Sequence, residues 1–288
     1  MLARLAISVE QLLPDNSTPD FTSTVAAVWR NDIFGGRLVA YSAVDGIELQ
    51  DLLHIDAQKQ SLELNTRQFL EGFPANNALL WGARGTGKSS LIHALLNKYS
   101  ASGLRLVEVN KQQLANLAEL AQVLERYPFK FLIFCDDLSF EADDPAYKEL
   151  KSALEGSIFS TAKNVVIYAT SNRRHLLPEY FTENASAYVD ESGELHHSEA
   201  TEEKISLSDR FGLWLSFYPF KQSDYLDVVK YWLQRLSDGY DLPDIWSVET
   251  RAAALQWALA RGVRSGRTAE HFARHWVGIN LLKENEID

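Results

Sequence analysis

The residues best suited to chemistry form a glycine-rich stretch that ends in a lysine and two serines, within a chain of 288 amino acids. Gly82, Gly87, Lys88 and Ser89 fill the four fixed positions of the pattern G-x-x-x-x-G-K-[ST], in which successive backbone N–H groups point at phosphate oxygens. We expect Lys88 to reach the β- and γ-phosphates of ATP, and Ser89 to place its hydroxyl on Mg2+. A glycine turn that only joins a strand to a helix is the alternative. The predicted nucleotide-binding residues of this stretch are Gly82, Ala83, Arg84, Gly85, Thr86, Gly87, Lys88, Ser89 and Ser90.

Two carboxylates, Asp136 and Asp137, follow directly after the apolar run Phe131–Cys135. Such a run predicts a buried strand, and ligands of open α/β sheets bind at the carboxyl ends of the strands. We expect Asp136 to hold Mg2+ through its water shell, and Asp137 to orient and deprotonate the attacking water. Alternatively, the two acids only cap a helix or form a turn.

Asn172 follows another apolar run, Val165–Ser171. An amide that emerges from a buried strand beside the P-loop strand can hold the attacking water or contact the γ-phosphate. Taken alone the signal is weak, because asparagine at a strand end commonly forms a turn.

These side chains need a scaffold of alternating strands and helices, and the apolar patterning predicts one. The glycine-rich loop lies between a strand at Ala78–Trp81 and a helix at Ser89–Tyr99, and Asp56 is a suitable N-cap for a helix over Ala57–Glu71. Apolar strands separated by helices indicate a parallel sheet covered on both faces. Further strands are predicted at Arg105–Val109, Phe129–Cys135 and Val165–Thr170, and further helices at Gln112–Arg126 and Pro145–Leu154.

The first 50 residues are predicted to form a region of their own. An amphipathic pattern from Leu2 to Leu13 stops at Pro14, as expected of a helix before proline. A short helix is predicted over Thr22–Arg30, and the segment Arg37–Leu49 shows some alternation of apolar and polar residues. These apolar stripes serve either internal packing or the binding of a partner.

Composition limits the environment and the partners of the chain. A net charge of −11 argues against broad coating of nucleic acid, whose phosphates attract Lys and Arg. A local basic face is still compatible with the arginines that cluster near the C-terminus. No window approaches the apolar length of a membrane span, so we predict a cytoplasmic protein with no membrane partner. Cys135, the single cysteine, excludes an internal disulfide and is expected to be a buried, inert thiol.

Four motifs in order resemble those of the AAA+ ATPases: GARGTGKS at 82–89, FLIFCDD at 131–137, YATSN at 168–172 and SLSDRFGL at 206–213. More narrowly, the chain is similar over roughly residues 50–285 to the bacterial AAA+ group called domain of unknown function 815. The stretches DLLHIDAQKQSLELNT, PANNALLWGARGTGKSS and EEKISLSDRFGLWLSF carry this resemblance.

The resemblance implies a fold and a division into domains. The fold is an α/β AAA+ P-loop NTPase with a five-stranded parallel sheet covered by helices, a small all-helical lid domain and an N-terminal extension. The implied boundaries are 1–50 for the extension, 51–220 for the nucleotide-binding domain and 221–288 for the lid. Lys88 and Ser89 become Walker A residues, Asp136 and Asp137 the Walker B pair, and Asn172 sensor 1.

Arg210 matches the arginine finger of the family. In similar proteins this arginine reaches the nucleotide of the neighbouring subunit, so the resemblance implies self-association into a ring or open spiral. A guanidinium there neutralises charge on the γ-phosphoryl oxygens. A surface ion pair of Arg210 with Asp209 or Glu203 is the alternative.

The lid is expected to contribute a further arginine to the phosphates. The segment GVRSGR at 262–267 resembles the sensor 2 element, with Arg264 as the first choice and Arg267 as the second. Both lie near a helix N-terminus, where a cation is unfavourable unless an anion is close. The lid helices are predicted near Ser223–Leu236, Val248–Arg261 and Gly266–Leu282.

Two features depart from the family pattern or add to it. AAA+ Walker B motifs usually carry Asp-Glu, whereas the second acid here is Asp137, one methylene shorter; Glu141 is either its substitute or a solvated loop residue. Residues 178–204 form an acidic insertion in which Lys204 is the only basic residue. This insertion suits a basic protein surface on a client or a neighbouring subunit, or is only solvated.

Together these features predict an ATP-hydrolysing protein that changes conformation or assembles on a macromolecular client of unknown identity. One alternative, suggested by Asp137, is a slowly hydrolysing, nucleotide-gated switch or scaffold. The other is a DNA-associated initiator or loader, because SLSDRFGL is similar to the finger segment of replication initiators. The chain is acidic and lacks an obvious helix-turn-helix, so a protein client is favoured over nucleic acid.

Overall fold

The structure is a computed structural model. It describes residues 18–32, 35–41, 46–141, 144–155, 163–174, 176, 188–189, 195–196, 207, 209–240 and 245–285. The predicted amphipathic segment before Pro14 and nearly all of the acidic insertion at 178–204 lie outside these ranges. Within them, none of the helices is long and apolar enough to cross a membrane.

A seven-stranded sheet forms the centre of the described chain. Its strands are β1 (Ala26–Asp32), β2 (Gly35–Tyr41), β3 (Ala78–Gly82), β4 (Leu104–Glu108), β5 (Lys130–Cys135), β6 (Val165–Ser171) and β9 (Leu213–Phe217). They lie in the order β2-β1-β4-β5-β6-β3-β9. Neighbouring strands run parallel, except for the antiparallel hairpin of β1 and β2 at one edge. A separate antiparallel pair consists of β7 (Tyr188–Val189) and β8 (Leu195–His196).

The two additional strands correct the predicted count of five and the predicted helix over Thr22–Arg30. Residues Ala26–Asp32 form a strand that pairs with β2 on one side and with β4 on the other. Trp29 is buried and packs over Gly36, where the Cβ of any other residue would collide with the indole ring. The gain from pairing the open edge of β4 and burying Trp29 outweighs the weak helical pattern.

Seven α-helices surround the sheet or form the lid in the described ranges, with short 3-10 turns at Leu49–Asp51, Ser100–Ser102 and Lys111–Asn116. The last of these turns replaces the first third of the helix predicted over Gln112–Arg126. The helices are α1 (Asp56–Leu70), α2 (Lys88–Tyr99), α3 (Leu117–Glu125), α4 (Pro145–Glu155), α5 (Gln222–Ser237), α6 (Val248–Ala260) and α7 (Gly266–Asn285).

Alternate residues of the strands bury side chains on opposite faces of the sheet. On one face Ile133 belongs to a core that includes residues of α3 and α4, and on the other Leu132 belongs to a core with residues of α1 and α2. The lid helices α5, α6 and α7 have a core of their own around Tyr225 and Phe272. The strands are therefore held from both faces, and their carboxyl ends meet at one edge, where Trp81 pairs with Ser171 and Cys135 with Ala169.

Candidate functional site

The loop between β3 and α2 has the backbone conformation of a phosphate cradle. Gly82, Gly85 and Gly87 have φ angles of 130°, 73° and 98°, a region that other residues adopt only with strain. A Cβ on Gly82 would collide with the carbonyl of Phe217, which accepts the Ala83 N–H at 3.0 Å. The neighbouring strand β9 therefore approaches the loop backbone directly, which only glycine permits.

Lys88 begins α2 and points back into the loop. It is 7% exposed, and its Nζ donates to the carbonyl oxygens of Gly82 at 2.9 Å and Ala83 at 2.8 Å, and to Asn172 Oδ1 at 3.2 Å. Burial lowers the pKa of Lys88 to about 8, although the charges of Asp137 and Asp136 oppose this shift. The ammonium group thus lies in a partly desolvated position, where an anion would stabilise its charge.

The next residue, Ser89, joins the P-loop to Asp136. Its Oγ donates to Asp136 Oδ1 at 2.7 Å. The same carboxylate oxygen accepts the Thr170 hydroxyl at 2.5 Å. A hydroxyl and a carboxylate oxygen are hard ligands of the type that Mg2+ prefers, and Mg2+ usually takes one or two protein oxygens, with water and phosphate completing its shell. Ser89 and Asp136 therefore fit a magnesium ion.

Asp137 lies beside Asp136 with an unusual backbone. Its φ of 49° places a residue other than glycine in the left-handed region, which costs of order 1–2 kcal/mol and clusters at functional sites. Its N–H donates to Thr170 Oγ1 at 2.9 Å, and its carboxylate accepts a hydrogen bond from Asn172 Nδ2. Arg84 lies 4.0 Å from the same carboxylate, with both side chains more than half exposed. Asn172 thus contacts both Lys88 and the second acid.

These groups line a cavity of about 520 Å3, a size typical of small-molecule sites. From the predicted set, the cavity is lined by Arg84, Gly85, Thr86, Gly87, Lys88, Ser89, Ser90, Asp136, Asp137, Asn172 and Arg267. The cavity is also lined by apolar residues, namely Ile47, Leu52, Ile55, Phe220, Val228 and Trp232. Charged and apolar side chains in one cavity match a ligand that combines phosphates with a flat base.

The first turn of the lid helix α7 contacts the P-loop. The Arg267 N–H donates to the Gly85 carbonyl at 3.2 Å, and a Cβ on Gly85 would lie 2.7 Å from Ser265 Oγ. Arg267 therefore lies beside the loop. Arg264, the first choice from sequence, is exposed and is not among the residues that line the cavity. Because Ser265 accepts the Thr268 N–H and so caps α7, the helix begins after Arg264 and presents Arg267 to the loop.

Arg210 also lies outside this cavity. It is half-buried just before β9, and its N–H donates to the Leu207 carbonyl at 3.2 Å. β9 is the edge strand next to the P-loop strand. A contact of Arg210 with the nucleotide of another subunit therefore stays a prediction.

Several residues that line the cavity are not predicted as site residues from the sequence. Thr170 precedes Asn172 in the YATSN motif, and its hydroxyl contacts both Asp136 and the backbone of Asp137. The side chain of Asp51 is fully buried; it accepts a hydrogen bond from Tyr231 and forms an ion pair with Arg235, both on α5, which ties the segment before α1 to the lid. The apolar residues that line the cavity range from Ile47 to Trp232 along the chain, and no local sequence pattern connects them.

The strand order, the P-loop geometry and the helical lid define the fold of an AAA+ P-loop NTPase. The sequence model described as "Protein of unknown function (DUF815)" matches residues 22–280, and the chain belongs to this family. No curated protein matches the chain in sequence.

Solved structures support the same fold. A point mutant of Thermotoga maritima RuvB is similar with a TM-score of 0.51 and 17% identity, covering 79% of this chain and 64% of that one. The Aeropyrum pernix ORC1 protein in complex with DNA has a TM-score of 0.50 and 19% identity, covering 77% of this chain and 61% of that one. At these identities the likeness shows the fold alone.

Proposed function

We propose that the protein binds and hydrolyses ATP with Mg2+, and that it couples its nucleotide state to conformational change or assembly on a macromolecular client. The observation that carries this proposal is the convergence of Lys88, Ser89, Asp136, Asp137 and Asn172 in one cavity of about 520 Å3. The apolar residues that line the same cavity suit a nucleobase.

The residues of the chain divide the chemistry between them. Bound Mg2+ would neutralise charge on the phosphate oxygens. Lys88 supplies a cation in a partly desolvated position, where its interaction with phosphate is stronger than in water. Ser89 and Asp136 would hold the metal and its water shell. Asp137 accepts a proton from the attacking water, and Asn172 orients this acid through its amide.

Assembly enters the proposal through Arg210. This residue does not line the cavity of its own chain, and it lies three residues before the start of the edge strand β9. We therefore assign Arg210 to the cavity of a neighbouring protomer in a ring or spiral. An arginine in that position is worth about 10³–10⁵ in rate in other phosphoryl-transfer enzymes.

The test is Mg2+-dependent release of phosphate from ATP by the purified protein and by Lys88→Ala, with Lys230→Ala as the control. Lys230 is an exposed lysine of α5 that does not line the cavity. Hydrolysis by the wild type and the control, and its loss in Lys88→Ala, are expected. Wild-type protein that releases no phosphate, alone or with a client, would contradict the assignment of hydrolysis.

A second function, a nucleotide-gated switch or scaffold with slow turnover, is favoured by the geometry of Asp137. This carboxylate is one methylene shorter than the usual glutamate, and it is already engaged by Asn172 with Arg84 nearby. Light scattering with ATP and with ADP, combined with single-turnover hydrolysis, separates the two functions. Assembly with ATP but without turnover selects the switch.

An Asp137→Asn variant should retain ATP and stall on its client, so affinity capture with this variant and with Lys88→Ala as the control can identify it. One structural neighbour is described in complex with DNA, and the net charge of −11 opposes such a partner here. Binding to single-stranded and duplex DNA at increasing salt tests this alternative, and no binding at low salt removes it.

A further inference from the structure

Thr170 lies in β6, one residue beyond Ala169, the last residue of this strand that pairs with β5. The ladder between these strands ends at Cys135 and Ala169. Beyond it the chain carries Asp136 and Asp137 away from the sheet, and two backbone hydrogen-bonding groups of this turn lack a ladder partner. Thr170 supplies both partners: its carbonyl accepts the Leu138 N–H at 2.8 Å, and its hydroxyl accepts the Asp137 N–H at 2.9 Å.

The hydroxyl of Thr170 has a second bond, which goes to the first acid. It donates to Asp136 Oδ1 at 2.5 Å, the same oxygen that accepts Ser89 Oγ at 2.7 Å. A hydroxyl has one proton to donate and lone pairs to accept, so one buried group orients both acids at once. Thr170 is 1% exposed, and its branched side chain restricts its rotamer. The position of this hydroxyl is therefore well defined.

We propose that Thr170 is a positioning residue for the magnesium site: its hydroxyl fixes the carboxylate of Asp136 and holds the backbone of Asp137 in its left-handed conformation. This inference rests on the proposed function. Groups that orient a metal ligand act on metal affinity through that ligand, typically by about 10–100-fold. Thr170 thus affects Mg2+ binding more than the binding of nucleotide without metal.

Ser171 offers a matched control for a role that is only structural. It is also fully buried, and its Oγ donates to the Leu138 carbonyl at 2.7 Å and accepts the Arg173 N–H at 3.0 Å. It stabilises the same turn as Thr170, but neither bond involves a carboxylate. If Thr170 only stabilised the turn, Ser171→Ala and Thr170→Val would have similar effects.

The experiment measures direct binding of a fluorescent ATP analogue, first in EDTA and then across a Mg2+ titration. In Thr170→Val the Mg2+ concentration for half-maximal tightening should rise about tenfold or more, while affinity in EDTA stays within twofold of the wild type. Thr170→Ser keeps the hydroxyl and should stay within twofold in both measurements, as should Ser171→Ala. If Thr170→Val is insoluble, Thr170→Ala replaces it in the same titration.

The outcomes separate this inference from the function on which it rests. A wild type that binds the analogue with Mg2+, beside a Thr170→Val variant with an unchanged Mg2+ midpoint, overturns the role of Thr170 and leaves the ATP site in place. Equal shifts in Thr170→Val and Ser171→Ala also overturn it. A wild type that binds no analogue in either condition overturns the proposed function itself.

Discussion

Replacing Lys88 with methionine should remove a pH dependence from the stability of the nucleotide-free protein. Lys88 is 7% exposed, and its ammonium group lies among backbone carbonyls of the P-loop. Methionine has a similar length and no charge, and it adapts to irregular spaces. The wild type therefore carries a cost of burying charge that the variant lacks, and this cost depends on protonation.

The sign follows from the lowered pKa. In the folded protein the pKa of Lys88 is about 8, against 10.5 for an ordinary lysine. Between these values the unfolded chain binds more protons than the folded chain, so the free energy of unfolding rises with pH. Below pH 8 the full cost of the buried charge is present. Relative to Lys88→Met, the wild type should thus gain stability as the pH rises from 8 toward 10.5.

The magnitude follows from the same values. At roughly 1.36 kcal/mol per pKa unit, the full shift would raise the free energy of unfolding of the wild type, relative to Lys88→Met, by about 2 kcal/mol between pH 7 and pH 9.5. Water in the adjacent cavity screens the charge of Lys88, so we expect this rise to be about 1 kcal/mol.

Urea unfolding followed by circular dichroism at pH 7.0, 8.0, 9.0 and 9.5 measures this difference for the wild type and Lys88→Met. Comparing the two proteins cancels every other group that titrates in this range. Lys230→Met, a change of an exposed lysine on α5, is the control and should show no such trend. A difference between the wild type and Lys88→Met that is constant within about 0.3 kcal/mol over the whole range would refute the reasoning.

Three further predictions concern other parts of the structure. Trp232→Ala, which removes an aromatic side chain that lines the cavity, should weaken ATP binding about tenfold and leave tripolyphosphate binding unchanged; equal losses for both ligands in calorimetry would exclude a base contact. Asp51→Asn weakens the charged bonds to Tyr231 and Arg235 and should lower the free energy of unfolding by about 1–3 kcal/mol in urea titrations, whereas an unchanged value would show that this contact does not stabilise the lid. Burial raises the pKa of Cys135 to about 12, so a thiol reagent at pH 8 should modify it only after unfolding, and rapid labelling of the native protein would contradict this.

Local sequence patterns predict the polar residues of the site because short-range geometry determines where these residues lie. The glycines, Lys88 and Ser89 lie within one loop and the first turn of α2. Asp136 and Asn172 follow apolar strands, and parallel neighbouring strands bring these positions to one edge of the sheet. For these residues, the positions in the sequence therefore almost determine how close they lie in the fold.

The remaining features depend on tertiary contacts between distant segments. The hairpin of β1 and β2 joins the sheet because β4 leaves an edge open, and nothing near Ala26–Asp32 in the sequence indicates that edge. Similarly, the choice between Arg264 and Arg267 depends on where α7 begins. Ser265 caps that helix, and a shift of three residues decides which arginine meets the P-loop.

Two helices of the lid line the cavity, α5 through Trp232 and α7 through Arg267. The Arg267 N–H also bonds to the Gly85 carbonyl of the P-loop. On α5, the guanidinium of Arg235 lies 5.5 Å from the ring centre of Trp232 and also binds Asp51. We expect a nucleotide that contacts both Trp232 and Arg267 to engage α5 and α7 together, so that its affinity for one lid orientation exceeds its affinity for another. Only such a difference allows a ligand to shift a conformational equilibrium.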